Sequence, residues 1–228
     1  QGTQLRFEPT GGGVALRVHC DRFKDGPLDA ELTIHVPKNH ETLNVVIPWD
    51  ARRYQFTSKQ HALPASGTVR YAGREIVFDP AESFACLDYG RGVWPYRCTW
   101  NWGGGSGRSE DGRIVGLNLG AKWTDGTGMT ENGVLVDGAL RKIGDDVEFE
   151  YDRADFMSPW SIRTRTTEEV DLRFTPFYER VAKSNLLVIQ SEVHQMIGTY
   201  SGSVLSPNGQ KLRIERIIGW AEEHIAKW

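Results

Sequence analysis

Residues 84–102 read Phe-Ala-Cys-Leu-Asp-Tyr-Gly-Arg-Gly-Val-Trp-Pro-Tyr-Arg-Cys-Thr-Trp-Asn-Trp and contain three of the eight tryptophans of the chain. Successive side chains of a β-strand point to opposite faces, so residues two apart share a face. Read as a strand, the second half of this stretch places the following side chains on one face: Trp94, Tyr96, Cys98, Trp100 and Trp102. Such a face borders either a packed core or a cavity, and it predicts a protein built from β-strands.

A short charged segment, Asp88-Tyr89-Gly90-Arg91-Gly92, precedes the aromatic strand, and its glycines predict a sharp turn. Aromatic side chains beside a compact charged turn are typical of a small-molecule site, which is apolar along its sides and polar at one point. A core strand whose Asp88 and Arg91 form a structural ion pair fits the pattern equally well. The residues alone leave both interpretations open.

The composition of the 228-residue chain excludes several classes of function. A net charge of −3 gives no electrostatic reason to expect nucleic acid or an anionic membrane surface as a partner. No apolar run is long enough to span a bilayer. The six histidines show no paired ligand spacing, and the glycine-rich run 103–107 lacks the Gly-Lys-Ser/Thr ending of a phosphate-binding loop. We therefore expect no metal, no cofactor and no nucleic acid.

The three cysteines, Cys20, Cys86 and Cys98, are an odd number with no close pair in the sequence. This pattern argues against a disulfide framework and predicts reduced thiols in a cytoplasmic protein. The chain begins at Gln1 and its first methionine is Met129, so we expect that an upstream segment has been removed or is not included.

Short alternating apolar runs separated by Gly, Pro and Asn fill most of the chain, which is typical of antiparallel β structure. One run differs. In Gly219–Trp228 the large side chains Trp220, His224 and Trp228 recur every four residues, and this spacing predicts a helix. The sequence thus predicts an all-β barrel or sandwich architecture with a short C-terminal helix near residues 219–227.

Several runs of the sequence carry a resemblance to a known family. They are Leu43-Asn44-Val45-Val46-Ile47-Pro48-Trp49, Phe56-Thr57-Ser58-Lys59-Gln60, Ala85–Gly92, Gly116–Glu131, Thr175-Pro176-Phe177 and Gly219–His224. On these runs the chain resembles, over essentially its whole length, a bacterial family known only as a domain of unknown function. That family is part of the lipocalin-like superfamily of carotenoid 1,2-hydratase (hydroxyneurosporene synthase), AttH-type proteins and survival factor proteins.

The resemblance implies tandem lipocalin-like antiparallel β-barrels with the ligand site at or near their junction. Residues 1–80 would be a partial first barrel, because family members are longer at the N-terminus, and residues 81–228 would be the second barrel with the C-terminal helix. The hydratases carry an aspartate in a Tyr-x-Asp-His motif before a Trp-rich strand. Asp88 matches this aspartate, whereas the tyrosine and the histidine of the motif have no counterpart here.

The candidate catalytic residues are therefore Asp88, Tyr89 and Arg91. A carboxylic acid that faces tryptophan rings can protonate an alkene or an enol while the rings stabilise the developing cation. An ion pair between Asp88 and Arg91 would oppose this role. The candidate ligand-binding residues are Trp94, Tyr96, Trp100, Trp102, Lys122, Glu192 and His194.

Other polar residues have a weaker claim to a functional role. Glu192 and His194 share a strand face and are suited to proton transfer, although a polar strand face explains them as well. Lys59 and His61, beside Pro64, fit either the mouth of a barrel or a surface loop, and we expect the loop. We expect the charges of the C-terminal helix, including Glu222, in solvent. The carboxylates of Asp125 and Glu131 flank one loop and are a weaker candidate for acid–base chemistry.

Three functions fit these expectations. The first is an enzyme of the hydratase, isomerase or cyclase type that acts on an apolar polyene, terpenoid or lipid-like molecule through Asp88. The second is a non-catalytic carrier or sensor of a lipid-like ligand. The third is a scaffold whose aromatic residues only form a core. An acid with perturbed titration would favour the first function, a co-purifying ligand the second and a filled interior the third.

Overall fold

The computed structural model describes residues 2–186 and 188–228, and in these residues every regular element is a β-strand. The strands are β1 (Thr3–Thr10), β2 (Gly13–Phe23), β3 (Gly26–His35), β4 (Leu43–Pro48), β5 (Tyr54–Tyr71), β6 (Arg74–Phe78), β7 (Phe84–Val93), β8 (Arg97–Arg108), β9 (Ile114–Ala121), β10 (Gly133–Val136), β11 (Ala139–Lys142), β12 (Val147–Glu150), β13 (Trp160–Thr164), β14 (Val170–Leu186), β15 (Ile189–Leu205) and β16 (Lys211–Lys227). The all-β prediction is therefore confirmed. Within these two ranges the chain has no helix long and apolar enough to cross a membrane.

The predicted C-terminal helix is wrong, because Gly219–Trp228 lies mostly in the last strand, β16. This strand pairs with β15 on one side and with β8 on the other, so its backbone hydrogen bonds are made between strands. Residues four apart lie on the same side of a helix, but they also lie on the same face of a strand. The spacing of Trp220, His224 and Trp228 therefore fits both structures.

The chain divides into two compact units whose segments alternate along the sequence. The first unit contains the chain through His40 together with Ala62–Cys86. The second unit contains Glu41–His61 together with Leu87–Trp228. Strand β5 therefore begins in the second unit and ends in the first. The division into barrels at residues 1–80 and 81–228 stays a prediction.

The first unit is an antiparallel sheet with a small core. Strands β1, β2 and β3 pair in sequence order, and β3 pairs with the part of β5 from Ala65 to Tyr71. Strand β6 pairs with the same part of β5. The buried apolar side chains of this unit are mostly small: Ala30, Ala62, Leu63 and Ala65.

The second unit is dominated by an antiparallel sheet with the strand order β11-β10-β9-β8-β16-β15-β14-β13-β12. Its two edge strands, β11 and β12, are neighbours in the sequence, and residues 143–146 connect them. Such a connection spans less than about 20 Å. The nine-stranded sheet must therefore curl until its two edges come close together.

The core of the second unit lies on one face of this curled sheet. Alternating residues of its longer strands supply the core, including Leu117 and Leu119 in β9, Trp160 and Ile162 in β13, Leu172 and Phe174 in β14, Met196 and Tyr200 in β15, and Ile214 and Ile217 in β16. The rings of Phe174 and Tyr200 pack with their centroids 4.7 Å apart, and Trp160 packs edge-on against Phe174. Side chains therefore fill this part of the interior of the sheet.

A bulge in β16 sets which of its residues face the core. Tyr200 pairs with Ile217, whereas Gly202 pairs with Ile214, so two residues of β16 oppose one residue of β15. Arg216 lies in the bulge and has a φ of 60°. Because of the extra residue, Ile214 and Ile217 both face the core although they are three apart in sequence.

Two neighbouring isoleucines of β16 test this register. Ile217 is 2% exposed and Ile218 is 63% exposed. We expect Ile217→Ala to lower the free energy of unfolding by about 2–5 kcal/mol, because it leaves a cavity in the core. Ile218→Ala is the matched control and should change this free energy by less than about 1 kcal/mol. Urea denaturation measures both, and equal losses would contradict the register.

Candidate functional site

A cavity of about 320 Å³ lies in the second unit, on the face of the nine-stranded sheet that points away from the core. We call it the tryptophan cavity. Strands β8 and β16 form one side of it, where Trp102 is the cross-strand partner of Glu222. Residues of β5 and β7 form another side, among them Lys59 and Asp88. The lining therefore has an aromatic part and a polar part.

Tryptophan side chains form the aromatic part of the lining: Trp94, Trp100, Trp102, Trp123 and Trp228. The ring centroids of Trp94 and Trp123 lie 5.3 Å apart, and those of Trp94 and Trp100 lie 5.7 Å apart. Most of the indole N–H groups donate to side chains: Trp94 to Gln55 Oε1 (2.7 Å), Trp100 to Glu222 Oε1 (3.2 Å), Trp102 to Asn118 Oδ1 (2.9 Å) and Trp123 to Glu131 Oε1 (2.5 Å). These bonds orient the rings, which pack partly on one another and border the cavity.

Lys59 occupies the centre of the polar part. Its ammonium lies 2.9 Å from Asp88 Oδ2 and 3.3 Å from Glu131 Oε2. The same ammonium lies 4.2 Å from the ring centroid of Trp102, and the Lys59 side chain is only 8% exposed. Burial acts to lower the pKa of Lys59, but its interactions with the carboxyl groups of Glu131 and Asp88 outweigh burial and hold this pKa above its usual value. Lys59 is therefore a buried cation between two acids.

Glu131 is the most deeply buried acid of the cavity, with 2% of the residue exposed. Its Oε1 accepts the indole N–H of Trp123. Its Oε2 lies near Lys59 but makes no hydrogen bond within the described residues. Burial raises the pKa of Glu131, although the Lys59 charge and the Trp123 hydrogen bond oppose the increase.

Glu222 is a second buried acid of the cavity. It is 5% exposed, and burial raises its pKa. Both of its oxygens accept N–H groups, Oε1 from Trp100 at 3.2 Å and Oε2 from Gln195 at 2.8 Å. The expectation that the charge of Glu222 lies in solvent is therefore wrong, because the segment is a central strand with both faces covered.

Asn118 connects the aromatic and polar parts of the lining. Its Oδ1 accepts the indole N–H of Trp102 and lies 3.0 Å from His61 Nε2. Its Nδ2 donates to the backbone oxygen of Glu131 at 2.6 Å, which fixes the orientation of the amide. Burial lowers the pKa of His61 to about 4, so the imidazole is neutral and its Nε2 donates to Asn118.

Lys59 and His61 lie in a buried part of β5 and not in the predicted surface loop. The loop was inferred from the nearby Pro64, but β5 continues through this proline as far as Tyr71. The polar residues Gln55, Thr57 and Lys59 line the tryptophan cavity at intervals of two. That spacing is the signal by which the strand face could have been recognised.

The three candidate catalytic residues do not come together. The segment 88–92 is extended as part of β7 and forms no turn, so Asp88 faces the cavity while Tyr89 and Arg91 lie on the opposite, exposed face. Asp88 pairs with Lys59, and Arg91 forms no ion pair with it in the described part of the chain. The glycines allow close approach instead of a turn, because a Cβ on Gly90 would collide with the side chain of Gln55.

The candidate ligand-binding residues divide into three groups. Trp94, Trp100 and Trp102 line the tryptophan cavity, as the aromatic face predicts. Tyr96 does not, because it is 51% exposed and its hydroxyl donates to the backbone oxygen of Val188. The other three candidates lie on the core-facing side of the nine-stranded sheet: Lys122, Glu192 and His194.

Glu192 and His194 line a second, open cavity of about 540 Å³ in the same unit. His194 Nδ1 lies 2.8 Å from Glu179 and its Nε2 lies 3.2 Å from Glu192, which also pairs with Lys183 at 2.7 Å. The imidazole stacks on Phe156 with the ring centroids 4.3 Å apart. Both ring nitrogens of His194 are thus occupied by protein partners.

Lys122 belongs to an ion-pair cluster beside this second cavity. Its ammonium donates to the Tyr151 hydroxyl at 2.9 Å and to Glu223 Oε2 at 3.2 Å. The other Glu223 oxygen accepts two N–H groups of Arg153, and the Tyr151 hydroxyl donates to Glu223. Each polar group of the cluster has a protein partner, which favours a structural role over catalysis. In the described ranges no group of His, Cys, Asp and Glu side chains is arranged to hold a metal ion.

The buried His61 predicts a fold that is sensitive to acid. Its pKa of about 4 in the folded protein lies below the ordinary value of 6.5, so the unfolded chain binds the proton first and stability falls as the pH decreases from about 6.5. We expect the free energy of unfolding to decrease by about 2 kcal/mol between pH 7.5 and pH 5 from this group alone. Burial also lowers the pKa of His224, which adds to the loss.

Urea denaturation of two variants separates His61 from the other titrating groups. His61→Asn should flatten the dependence between these pH values, whatever its stability at pH 7.5. His35→Asn changes an exposed histidine of the first unit and should leave the dependence as it is. An equally steep dependence in His61→Asn would contradict the assignment.

Comparison of the fold with solved structures finds several matches of different quality. A candidate AttH from Nitrosomonas europaea matches with a TM-score of 0.53 and 13% identity over 92% of this chain and 64% of that chain. Kievitone hydratase from Nectria haematococca matches with a TM-score of 0.34 and 9% identity over 99% of this chain and 87% of that one. CghA matches with a TM-score of 0.36 and 9% identity over 99% of this chain and 73% of that one.

The likeness to the candidate AttH confirms the predicted lipocalin-like fold, although this chain spans only 64% of that protein's length. The other two TM-scores are too low to carry an argument. No curated protein sequence matches the chain. Residues 1–228 match DUF2804, a domain of unknown function, over their whole length. The chain therefore belongs to the DUF2804 family, as its resemblance to a bacterial family of unknown function predicts.

Proposed function

We propose that the protein binds a small, largely apolar molecule of the terpenoid, polyene or lipid-like type in the tryptophan cavity. We also infer that the polar part of this cavity supports acid–base chemistry of the hydratase, isomerase or cyclase type. One observation carries the proposal: indole rings line a cavity of about 320 Å³ in which the buried ammonium of Lys59 contacts two carboxyl groups. Apolar faces beside a few convergent polar groups are the usual composition of a small-molecule site.

Asp88 is suited to exchange protons with both the ligand and the solvent. Its side chain is 41% exposed, and it borders the cavity beside Lys59. As a carboxylate it would accept a proton from a bound molecule, and as an acid it would return one. The neighbouring faces of Trp100 and Trp102 would stabilise positive charge that develops on the ligand during this transfer.

A non-catalytic carrier of a lipid-like ligand is the second candidate function. The ion pair between Asp88 and Lys59 supports it, because this pair provides each group with a partner inside the protein. A carrier needs the aromatic lining and the enclosed volume but no proton transfer. Measuring ligand binding and proton transfer separately distinguishes the two functions.

The first experiment measures binding of β-ionone, an apolar enone of terpenoid type, by quenching of tryptophan fluorescence. Trp100→Ala should weaken this binding by about 1–3 kcal/mol, because it removes an aromatic face of the cavity. Tyr96→Ala is the matched control. Tyr96 belongs to the same two-residue alternation of aromatic residues as Trp100, but it lies outside the cavity. This variant should leave the affinity unchanged. A loss in Tyr96→Ala and none in Trp100→Ala would show that the ligand binds elsewhere.

The second experiment measures proton transfer to bound β-ionone in heavy water, with deuterium incorporation followed by mass spectrometry. The native protein should incorporate deuterium faster than buffer does. Asp88→Asn keeps the shape of the side chain but cannot transfer the proton, so the rate should fall by roughly two to four powers of ten while binding persists. Binding without incorporation above the buffer rate would instead favour the carrier.

A further inference from the structure

The three acids of the tryptophan cavity differ in the hydrogen bonds and ion-pair contacts that their carboxyl oxygens make. Both oxygens of Glu222 accept N–H groups from the protein. Asp88 is partly exposed and contacts Lys59 at 2.9 Å. Glu131 is 2% exposed and has one oxygen, Oε2, that makes no hydrogen bond in the described part of the chain. Glu131 Oε2 therefore lies in the lining of the cavity with the Lys59 ammonium 3.3 Å away but without a hydrogen bond from the described residues.

A buried polar atom without a hydrogen bond destabilises a protein, and such atoms in folded proteins usually meet a water molecule or a ligand. The Lys59 ammonium forms an ion-pair contact with this oxygen at 3.3 Å, but it lies closer to Asp88, at 2.9 Å, and its contact with Glu131 is too poorly aligned to satisfy Oε2. Burial favours the neutral, protonated form of Glu131 by raising its pKa. Trp123 donates to the other oxygen and so leaves Oε2 as the place for the proton.

We propose that Glu131 is protonated in the unliganded protein and that its Oε2 donates this proton to an oxygen atom of the bound ligand. The inference rests on the proposed binding in the tryptophan cavity and narrows the ligand class. The ligand is an apolar molecule with a hydrogen-bond acceptor, such as a ketone or an enone, and not a pure hydrocarbon. Glu131 is then the catalytic acid, and Asp88 is the base that takes a proton from a carbon of the same ligand.

The step balances without a cofactor. The Oε2–H bond of Glu131 breaks as an O–H bond forms on the carbonyl oxygen of the ligand. A C–H bond next to the carbonyl breaks, its electron pair becomes the C=C bond of an enol, and its proton passes to Asp88. Glu131 is left as a carboxylate, and the ammonium of Lys59, already 3.3 Å away, stabilises the new charge. An enol conjugated with a second C=C bond, as formed from a β,γ-unsaturated ketone, takes the proton of Asp88 at its far carbon while its O–H proton returns to Glu131. This gives the isomerised ketone and restores both residues.

Infrared spectroscopy of the protein without ligand tests the protonation of Glu131. At neutral pH the native protein should show the carbonyl stretching band of a protonated carboxyl group, with the small shift in heavy water that identifies it. Glu131→Gln should remove this band, whereas Glu222→Gln and Asp88→Asn should retain it. Absence of the band from the native protein, or its loss in Glu222→Gln or Asp88→Asn, would overturn the proposal.

A pair of ligands tests the acceptor requirement on the native protein, so it does not depend on the folding of any variant. β-Ionone carries a carbonyl acceptor, and the hydrocarbon of the same skeleton, with a methylene group in place of the carbonyl, carries none. Fluorescence quenching should show that the ketone binds roughly threefold to tenfold more tightly. Glu131→Gln retains an N–H donor and should keep most of this preference, whereas Glu131→Leu should abolish it. Equal affinities in the native protein would contradict the role of Glu131, while failure of both compounds to bind would contradict the proposed cavity.

Discussion

The tryptophan cavity depends on the burial of one positive charge. Removal of an ammonium from water is costly unless polar groups nearby compensate it. Lys59 has the Asp88 carboxylate at 2.9 Å on one side and the carboxyl group of Glu131 at 3.3 Å on the other. The two acids come from β7 and from the loop before β10, so the charge also fixes where these segments lie. The ring of Trp102 is in turn held against the same ammonium. Loss of the Lys59 charge would leave two carboxyl groups without their shared partner.

The aromatic part of the site could be predicted from the sequence, because it is a local pattern. Trp94, Trp100 and Trp102 share a face through the two-residue period of a strand, and no knowledge of other segments is needed. The polar part could not be predicted in this way. Lys59 and Glu131 are distant from the aromatic strand in sequence, and their proximity arises only when β5, β8 and the loop before β10 pack together. Asp88 could be predicted as a residue of the site because it lies close to the aromatic stretch in the sequence.

The incorrect predictions have a common physical origin, since one sequence pattern fits two structures. A spacing of four between Trp220 and His224 fits a helix and a strand alike, and the neighbouring strands β8 and β15 decide between them. The glycines of β7 fit a sharp turn, but they also fit close approach of another strand, as at Gly90. The assignment of Asp88 and Arg91 to one turn failed for this reason, because an extended segment points them to opposite faces.

Glu222 and Glu223 are adjacent in β16, and both are almost fully buried. One borders the tryptophan cavity and the other the second cavity, so a single strand separates two polar environments. A slip of this strand by one residue would exchange the two carboxyl groups and place each among the wrong partners. A change of length in the turn at 206–210 that shifted the register would therefore disturb both cavities at once. The bulge at Arg216 lies between this turn and Glu222, at a place where the strand already accommodates one extra residue.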